Sequence, residues 1–417
     1  MTDGPDRKAR DLEVVLEITR RLGAAVELDE ILRLIIDRSM DLLDAERASI
    51  FLYEQASHEL VSRVAAGEEE IRFPADKGVA GATVQDGQTL HVPDAYADER
   101  FNPEVDKRTG FRTRNILSVP LRDHEGALVG VLQVLNKRGR GFSEYDIYLA
   151  ESLAAQAGVS LQRARLIEHF VEKQKLERDL SIAHDIQQGL LPAEAPEIEG
   201  YDLAGFNRPA DDTGGDTYDF LPLGDGRWLL IVADASGHGI GPALVIAETR
   251  AMLRAVALRD ADPAALLATV NTLLDSDLDG RFVTCFLGVL DPPGGTLSYA
   301  SAGHGPLLFY ERAADAVHEA PGTGPPLGIL GGMEFEGVTH PLSAGDTAVI
   351  LTDGFFEGEG ADREQFGIER VGQIVRDGRD APAAELVETL RAAVDDFTAG
   401  RPQADDLTAI VVRRLTT

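Results

Sequence analysis

Four acidic positions stand where a chain can aim carboxylates at one point. Asp216 follows Gly214-Gly215, Asp234 ends the run Leu229-Leu-Ile-Val-Ala233, and Asp353 ends Ala348-Val-Ile-Leu-Thr352 ahead of Gly354. Asp405, with Asp406 beside it, precedes Leu407-Thr-Ala-Ile-Val-Val412. A single Asp-Gly turn is ordinary, but carboxylates gathered from several strand ends repel and raise one another's pKa. Such a cluster needs protons or cations. Oxygen donors with no histidine or cysteine framework suit a hard ion, magnesium or manganese, rather than zinc.

The elements that must position these acids alternate irregularly. Apolar runs predict strands near 201–206, 218–223, 227–234, 281–290, 296–301, 306–310, 347–352 and 407–415. Helical spacing predicts helices near 240–258, 263–277, 366–376 and 382–397, with Pro242 in a first turn and Asp262-Pro263 as a cap and first position. The expected fold class is α+β: two sheets layered together with helices outside.

The chain has 417 residues, enough for two or three domains, with 44% hydrophobic and 27% charged residues. No apolar run reaches the length of a membrane span, and the charged N-terminus has no signal-peptide core, so the expected location is the cytoplasm. A formal charge of −31 opposes phosphate backbones and anionic lipid, so no nucleic acid or membrane partner is expected. The one cysteine, Cys285, lies in an apolar run and reads as a buried, inert thiol.

The first part of the chain has another pattern. Two amphipathic helices are expected, over 6–25 and 28–43, the second with Asp29 as its cap. Short strands follow at 48–53, 60–65, 90–93, 115–121 and 128–135, separated by turns, which fits an antiparallel sheet flanked by helices. Lys77-Gly-Val-Ala-Gly81, Ser118-Val-Pro-Leu121, Gly130-Val-Leu-Gln-Val-Leu-Asn-Lys137 and Phe142-Ser-Glu-Tyr-Asp146 occur in the order found in GAF domains. Residues 25–165 thus resemble a GAF sensor domain, and the segment 100–114 is similar to the ligand cover of GAF domains in cyclic-nucleotide phosphodiesterases and cyclases. The resemblance implies a small-molecule ligand, a cyclic nucleotide among the candidates, near Asn136, Lys137, Phe142, Asp146, Thr109 and Arg112. Ile147 departs from the signature's glutamate, and Lys137 paired with Asp146 would serve a structural clamp as well as recognition. With no cysteine in this region, a covalently attached bilin is excluded.

From 143 to 191 the sequence reads as helix. Leu176, Leu180, Ala183 and Leu190 form a heptad seam with Gln187 as its polar interruption, which predicts a coiled-coil-like connector and a homodimer.

Beyond it, Gly-Gly-Asp-Thr-Tyr-Asp219, Asp234-Ala-Ser-Gly-His-Gly239, Phe282-Val-Thr284, Ala302-Gly-His-Gly-Pro306, Pro326-Leu-Gly328, Thr352-Asp-Gly354 and Asp405-Asp-Leu-Thr408 occur in one family's order. This half resembles the SpoIIE-type branch of the PPM metal-dependent protein serine/threonine phosphatases, and the entry Ala183 to Pro192 resembles it too. The resemblance implies an α/β/β/α sandwich with two manganese or magnesium ions held by Asp216, Asp234, the Ala235 carbonyl, Asp353 and Asp405. It further implies in-line attack by a metal-bound hydroxide on phosphoserine or phosphothreonine of a regulatory protein, a STAS-type anti-sigma-factor antagonist. Classical members bind phosphate with an arginine upstream of the first aspartate; here that place is acidic and Arg208 is a weak substitute. Ser236 stands nearer the family's acid position than His238, leaving His238 between turn stabiliser and proton donor, while His304 reads as a turn residue.

The expected organisation is an N-terminal helix (1–24), a GAF sensor domain (25–165), a helical connector (166–192) and a PPM-type phosphatase domain (193–417). The competing reading is a phosphatase-like scaffold without activity, or a sensor that only binds its ligand.

Overall fold

A computed structural model describes residues 5–24, 27–62, 71–139, 141–259, 261–274, 278 and 280–416. The expected strand residues 63–65 and helix residues 275–277 lie outside them, as does the side chain of Thr109. The chain divides into two compact units, Met1–Leu176 and Glu177–Thr417.

The first unit is a mixed helix and sheet domain. Its order is α1 (Pro5–Ala24), α2 (Leu28–Leu43), β1 (Ala45–Glu54), β2 (Glu59–Ser62), β3 (Ile71–Pro74), α3 (Gly78–Asp86), β4 (Leu90–Val92), α4 (Glu104–Thr109), β5 (Ile116–Arg122), β6 (Leu128–Lys137) and α5 (Glu144–Gln188). The strands form one antiparallel sheet in the order β3-β2-β1-β6-β5-β4. Ile31, Leu32, Ile35, Ile36 and Leu43 of α2, at helical spacing, bury against Ile50, Leu52, Leu132 and Val134 of the sheet and Leu149, Leu153 and Leu161 of α5. Asp29 is no cap: Glu27 holds that place, and Asp29 sits in the first turn, where its charge meets the positive end of the helix dipole. The short elements β3, α3 and α4 carry too few residues to show a period, and sequence reading passes over them.

The second unit begins with residues 177–188 of α5. It continues with β7 (Tyr201–Arg208), β8 (Asp216–Pro222), β9 (Trp228–Ala235), α6 (Ile240–Ala257), α7 (Pro263–Leu274), β10 (Val283–Asp291), β11 (Thr296–Ala302), β12 (Leu307–Glu311), β13 (Ala316–Ala320), β14 (Val338–Pro341), β15 (Thr347–Leu351), α8 (Gly354–Glu357), α9 (Ile368–Asp377), α10 (Ala383–Thr398) and β16 (Leu407–Arg414). Two antiparallel five-stranded sheets result, β14-β11-β10-β9-β8 and β13-β12-β15-β16-β7. Strands buried on both faces explain the near-continuous apolar runs. Leu230 and Val232 of β9 pack between the sheets on Phe286, Ile350 and Val412, whereas Leu229, Ile231 and Ala233 face Ile246, Leu253, Leu266 and Val270 of α6 and α7. On the other side Val349, Leu351, Ala409 and Val411 meet Val371, Val375, Leu386 and Leu390 of α9 and α10. The layers are helix, sheet, sheet, helix. Cys285 is fully buried, and that burial pushes its thiol pKa up, out of the reactive range. Among the described residues no helix is long and apolar enough to cross a membrane.

Candidate metal centre

Asp216 opens β8 and Asp234 stands near the end of β9, and the sheet register sets the two directly opposite each other. The turn before Asp216 requires glycine: a Cβ on Gly215 would lie 2.7 Å from the Ala235 carbonyl oxygen. Ala235 N donates to Gly215 O at 2.9 Å, closing the two metal-end turns on each other. Asp353 follows β15 and starts α8; Asp405 and Asp406 lead into β16, the neighbour of β15.

These carboxylates sense one another. Burial, then Asp234 and Asp406, raise the Asp216 pKa far above the ordinary carboxylate range. Burial, then Asp353 and Asp405, push Asp234 up to about 7; burial, then Asp405, push Asp353 up to about 6. The neighbouring charges that act most strongly on these three groups are carboxylates. Among the described residues no three acids or histidines yet close around one point as an ion would require. The donor chemistry nonetheless fits a hard divalent cation, which would replace protons and draw the oxygens in.

Asp406 has a different task. Its Oδ1 accepts from Ala210 N at 2.7 Å and its Oδ2 from Asp216 N at 3.2 Å, so it ties β16 to the turn that carries Asp216. Thr352 Oγ donates to Asp216 Oδ2 at 2.8 Å and accepts from Thr408 N at 2.9 Å. The connector helix reaches the same turn. Gln187 Nε2 donates to Gly214 O at 2.5 Å, and Gly214 N donates to Gln187 Oε1 at 3.0 Å. Gln188 Nε2 donates to Asn207 Oδ1 at 3.3 Å and Asn207 Nδ2 to Thr408 Oγ1 at 2.8 Å, while Thr408 N donates to Thr352, the residue bonded to Asp216. Gln187, expected as the polar interruption of a heptad seam, is therefore turned onto the backbone of the metal-end turn.

Behind the site, Asp219 is buried and accepts from Arg250 Nη2 at 2.8 Å and Arg254 Nη1 at 2.9 Å, fastening β8 to α6. Arg208 is no substitute phosphate ligand. Its guanidinium is occupied by Asp395, at 2.6 and 3.1 Å, and Gln403, at 2.6 Å. His238 is largely exposed and pairs with Asp211 at 3.2 Å. His304 is buried, with Nδ1 3.2 Å from Thr284 Oγ1 and Nε2 without a hydrogen-bond partner among the described residues. Burial pushes its imidazole down to about 4, so it is neutral rather than imidazolium at neutral pH. Ser236 Oγ accepts from Phe282 N at 3.0 Å and fixes the turn after Asp234.

In the first unit the expected ligand residues form a brace. Asn136 is fully buried, accepts from Arg114 N at 2.6 Å, and donates to Glu46 at 2.9 Å and the Arg112 carbonyl at 2.8 Å. Lys137 Nζ bonds Asp146 and the Leu43 carbonyl, both at 2.9 Å. Burial alone would raise Asp146, but the Ser143 backbone N–H, Lys137 and the Ser143 hydroxyl hold it below the usual range. Phe142 is buried edge-on against His91, and the Arg112 guanidinium covers the Tyr96 ring at 5.5 Å. Polar groups expected to meet a ligand are thus bonded within the protein.

Residues 224–415 match the family model described as Stage II sporulation protein E (SpoIIE), and residues 27–161 match that of the GAF domain. The chain carries a GAF domain followed by a SpoIIE-family domain. The SiaA-PP2C domain of Pseudomonas aeruginosa is 27% identical with a TM-score of 0.51, covering 59% of this chain and 99% of its own. The RsbU and RsbW domains of a Mycobacterium tuberculosis protein are 26% identical with a TM-score of 0.47, over 54% of this chain and 64% of theirs. The second unit thus has the PP2C-like phosphatase fold. A probable 3',5'-cyclic phosphodiesterase of Caenorhabditis elegans is 33% identical over 155 residues, which is 34% of this chain and 21% of that protein. A dual 3',5'-cyclic-AMP and -GMP phosphodiesterase of Drosophila melanogaster is 32% identical over 175 residues, 37% of this chain and 12% of that protein. The chain spans about a fifth or less of the length of these curated relatives.

Proposed function

We propose that this SpoIIE-type protein is a metal-dependent serine/threonine phosphatase acting on a phosphorylated regulatory protein, a STAS-type anti-sigma-factor antagonist, under control of a small molecule at its GAF domain. The observation that carries this reading is the gathering of Asp216, Asp234, Asp353 and Asp405 at strand ends, where burial and neighbouring carboxylates raise the pKa of the first three. Bound manganese or magnesium would neutralise phosphoryl oxygens and lower the pKa of water towards ~7. Asp216 and Asp234, with the Ala235 carbonyl, would hold these ions, and Asp353 and Asp405 would complete the set. Asp406 orients the turn of Asp216, and Thr352 fixes the direction of its carboxylate. Neutral His304 stays outside the proton transfers.

The last turn of α5 gives regulation a route. A ligand at the GAF domain, a cyclic nucleotide being the first candidate from the relatives' names, would change the setting of this helix and so the grip of Gln187 on Gly214. Exposed Leu176, Ile182 and Ile186 on α5 suit a homodimer through the connector. Gln187→Ala removes two hydrogen bonds worth roughly 0.5–1.5 kcal/mol each. It should raise the manganese concentration for half-maximal activity about 3- to 30-fold with little change at saturation; an unchanged metal titration contradicts the coupling.

The function is tested by incubating phosphoserine forms of STAS-type antagonists with the protein and manganese, with and without cyclic AMP or cyclic GMP. Manganese-dependent phosphate release is expected. No release from any phosphoserine or phosphothreonine substrate would leave the scaffold reading standing.

A further inference from the structure

A phosphate dianion entering a site built from carboxylates, on a chain of net charge −31, needs a cation from the protein as well as from metals. In the second unit Arg208, upstream of Asp216, and the two arginines of α6 behind the site are committed elsewhere. Arg208 is held by Asp395 and Gln403, and Arg250 and Arg254 are held by Asp219. Arg281 differs: its side chain is exposed and makes no ion pair or hydrogen bond among the described residues.

Its position is fixed by the sheet. Arg281 N donates to Leu278 O at 2.9 Å, and the next residue, Phe282, bonds Ser236 in both directions, N to Oγ at 3.0 Å and Ser236 N to Phe282 O at 2.9 Å. Val283 then pairs with Ala235 and Thr284 with Asp234. Arg281 therefore leaves the sheet at the end where Asp234 and Ala235 stand. Its guanidinium lies across the first turn of α6: a Cβ on Gly241 would be 3.1 Å from Nη2 and 3.4 Å from Cζ. Pro242, the next residue, lies 3.4 Å from where a Cβ on Gly215 would begin, in the turn that carries Asp216. One planar fork of donors is thus set beside the first turn of α6, next to the turns that carry Asp216 and Asp234.

We infer that Arg281 is the phosphate-binding residue of this site, taking the phosphoryl oxygens of the phosphorylated substrate and replacing the upstream arginine that the sequence lacks. The inference rests on the phosphatase reading for its substrate, but not for its chemistry, since a guanidinium binds an oxyanion bidentately whether or not hydrolysis follows. Glycine at 241 leaves room for the guanidinium to lie flat.

The test is calorimetric titration of inorganic phosphate into the magnesium-loaded full-length protein, for wild type, Arg281→Ala and Arg281→Lys. Charge-assisted hydrogen bonds of this kind predict a loss of phosphate affinity of about 10- to 100-fold in Arg281→Ala and a smaller loss in Arg281→Lys, with magnesium affinity unchanged in both. The exposed position of Arg281 predicts no change in melting temperature, which separates lost binding from lost folding. Equal phosphate affinity in wild type and Arg281→Ala, or no phosphate binding by the wild type, overturns the inference. A wild type that binds phosphate through Arg281 but releases none from phosphoserine peptides overturns the phosphatase reading alone.

Discussion

Asp216→Asn should lower metal-dependent phosphoester hydrolysis by about 10³-fold or more, because removing a group that organises charge stabilisation costs of this order. The same substitution should raise the melting temperature of the metal-free protein. Asp216 is buried beside Asp234 and Asp406, and its pKa is raised. A carboxyl whose folded pKa exceeds its unfolded value supports the fold fully below the unfolded value, and that support is lost as pH rises through the folded one. With Asp353 at about 6 and Asp234 at about 7, the metal-free site becomes a burden between about pH 4 and 7. His304 acts in the opposite sense, withdrawing stability as pH falls from its unfolded value toward about 4. Comparing each pH with and without manganese removes the histidine's contribution. The manganese-induced rise in melting temperature should therefore grow from pH 5 to pH 8 and shrink in Asp216→Asn. Scanning calorimetry at fixed free metal reads both; a metal shift independent of pH would contradict the proton–metal exchange.

Asp219→Ala should destabilise the second unit by about 3–5 kcal/mol, since it leaves Arg250 buried without its carboxylate. Exposed Arg254 can turn to water, but Arg250 cannot. The double substitution Asp219→Leu with Arg250→Met should recover most of that loss, because apolar side chains of similar reach replace a costly ion pair. Urea unfolding followed by a probe in the second unit measures the difference. A loss below about 1 kcal/mol in Asp219→Ala would mean that β8 and α6 are held by packing alone.

The layers were legible because the apolar runs are continuous, and each of the four aspartates stands just before or just after one of them. Leu229–Ala233 reads as a strand, and its next residue, Asp234, is one of the acids. The residues that hold those acids were less visible. Asp406 bonds the backbone of a residue 190 positions away, and Gln187 grips Gly214 from 27 positions away, contacts with no periodic signal. Gln187 fits a heptad by spacing, yet a backbone partner can claim a polar side chain without disturbing that spacing. Asp219 was visible only as the end of a motif, since its partners lie on the next helix and nothing in their spacing reveals burial. In the first unit the side-chain partners of Asn136 and Lys137, Glu46 and Asp146, lie 90 and 9 positions away, and only the second pairing was legible in the sequence.

The most direct test is phosphate release from a phosphoserine peptide as manganese is titrated into metal-stripped protein, for wild type, Asp216→Asn and Asp353→Asn. The account predicts no release without metal, saturable release by the wild type, and a loss of about 10³-fold or more in each variant. Release without metal, or release retained by both variants, would contradict it.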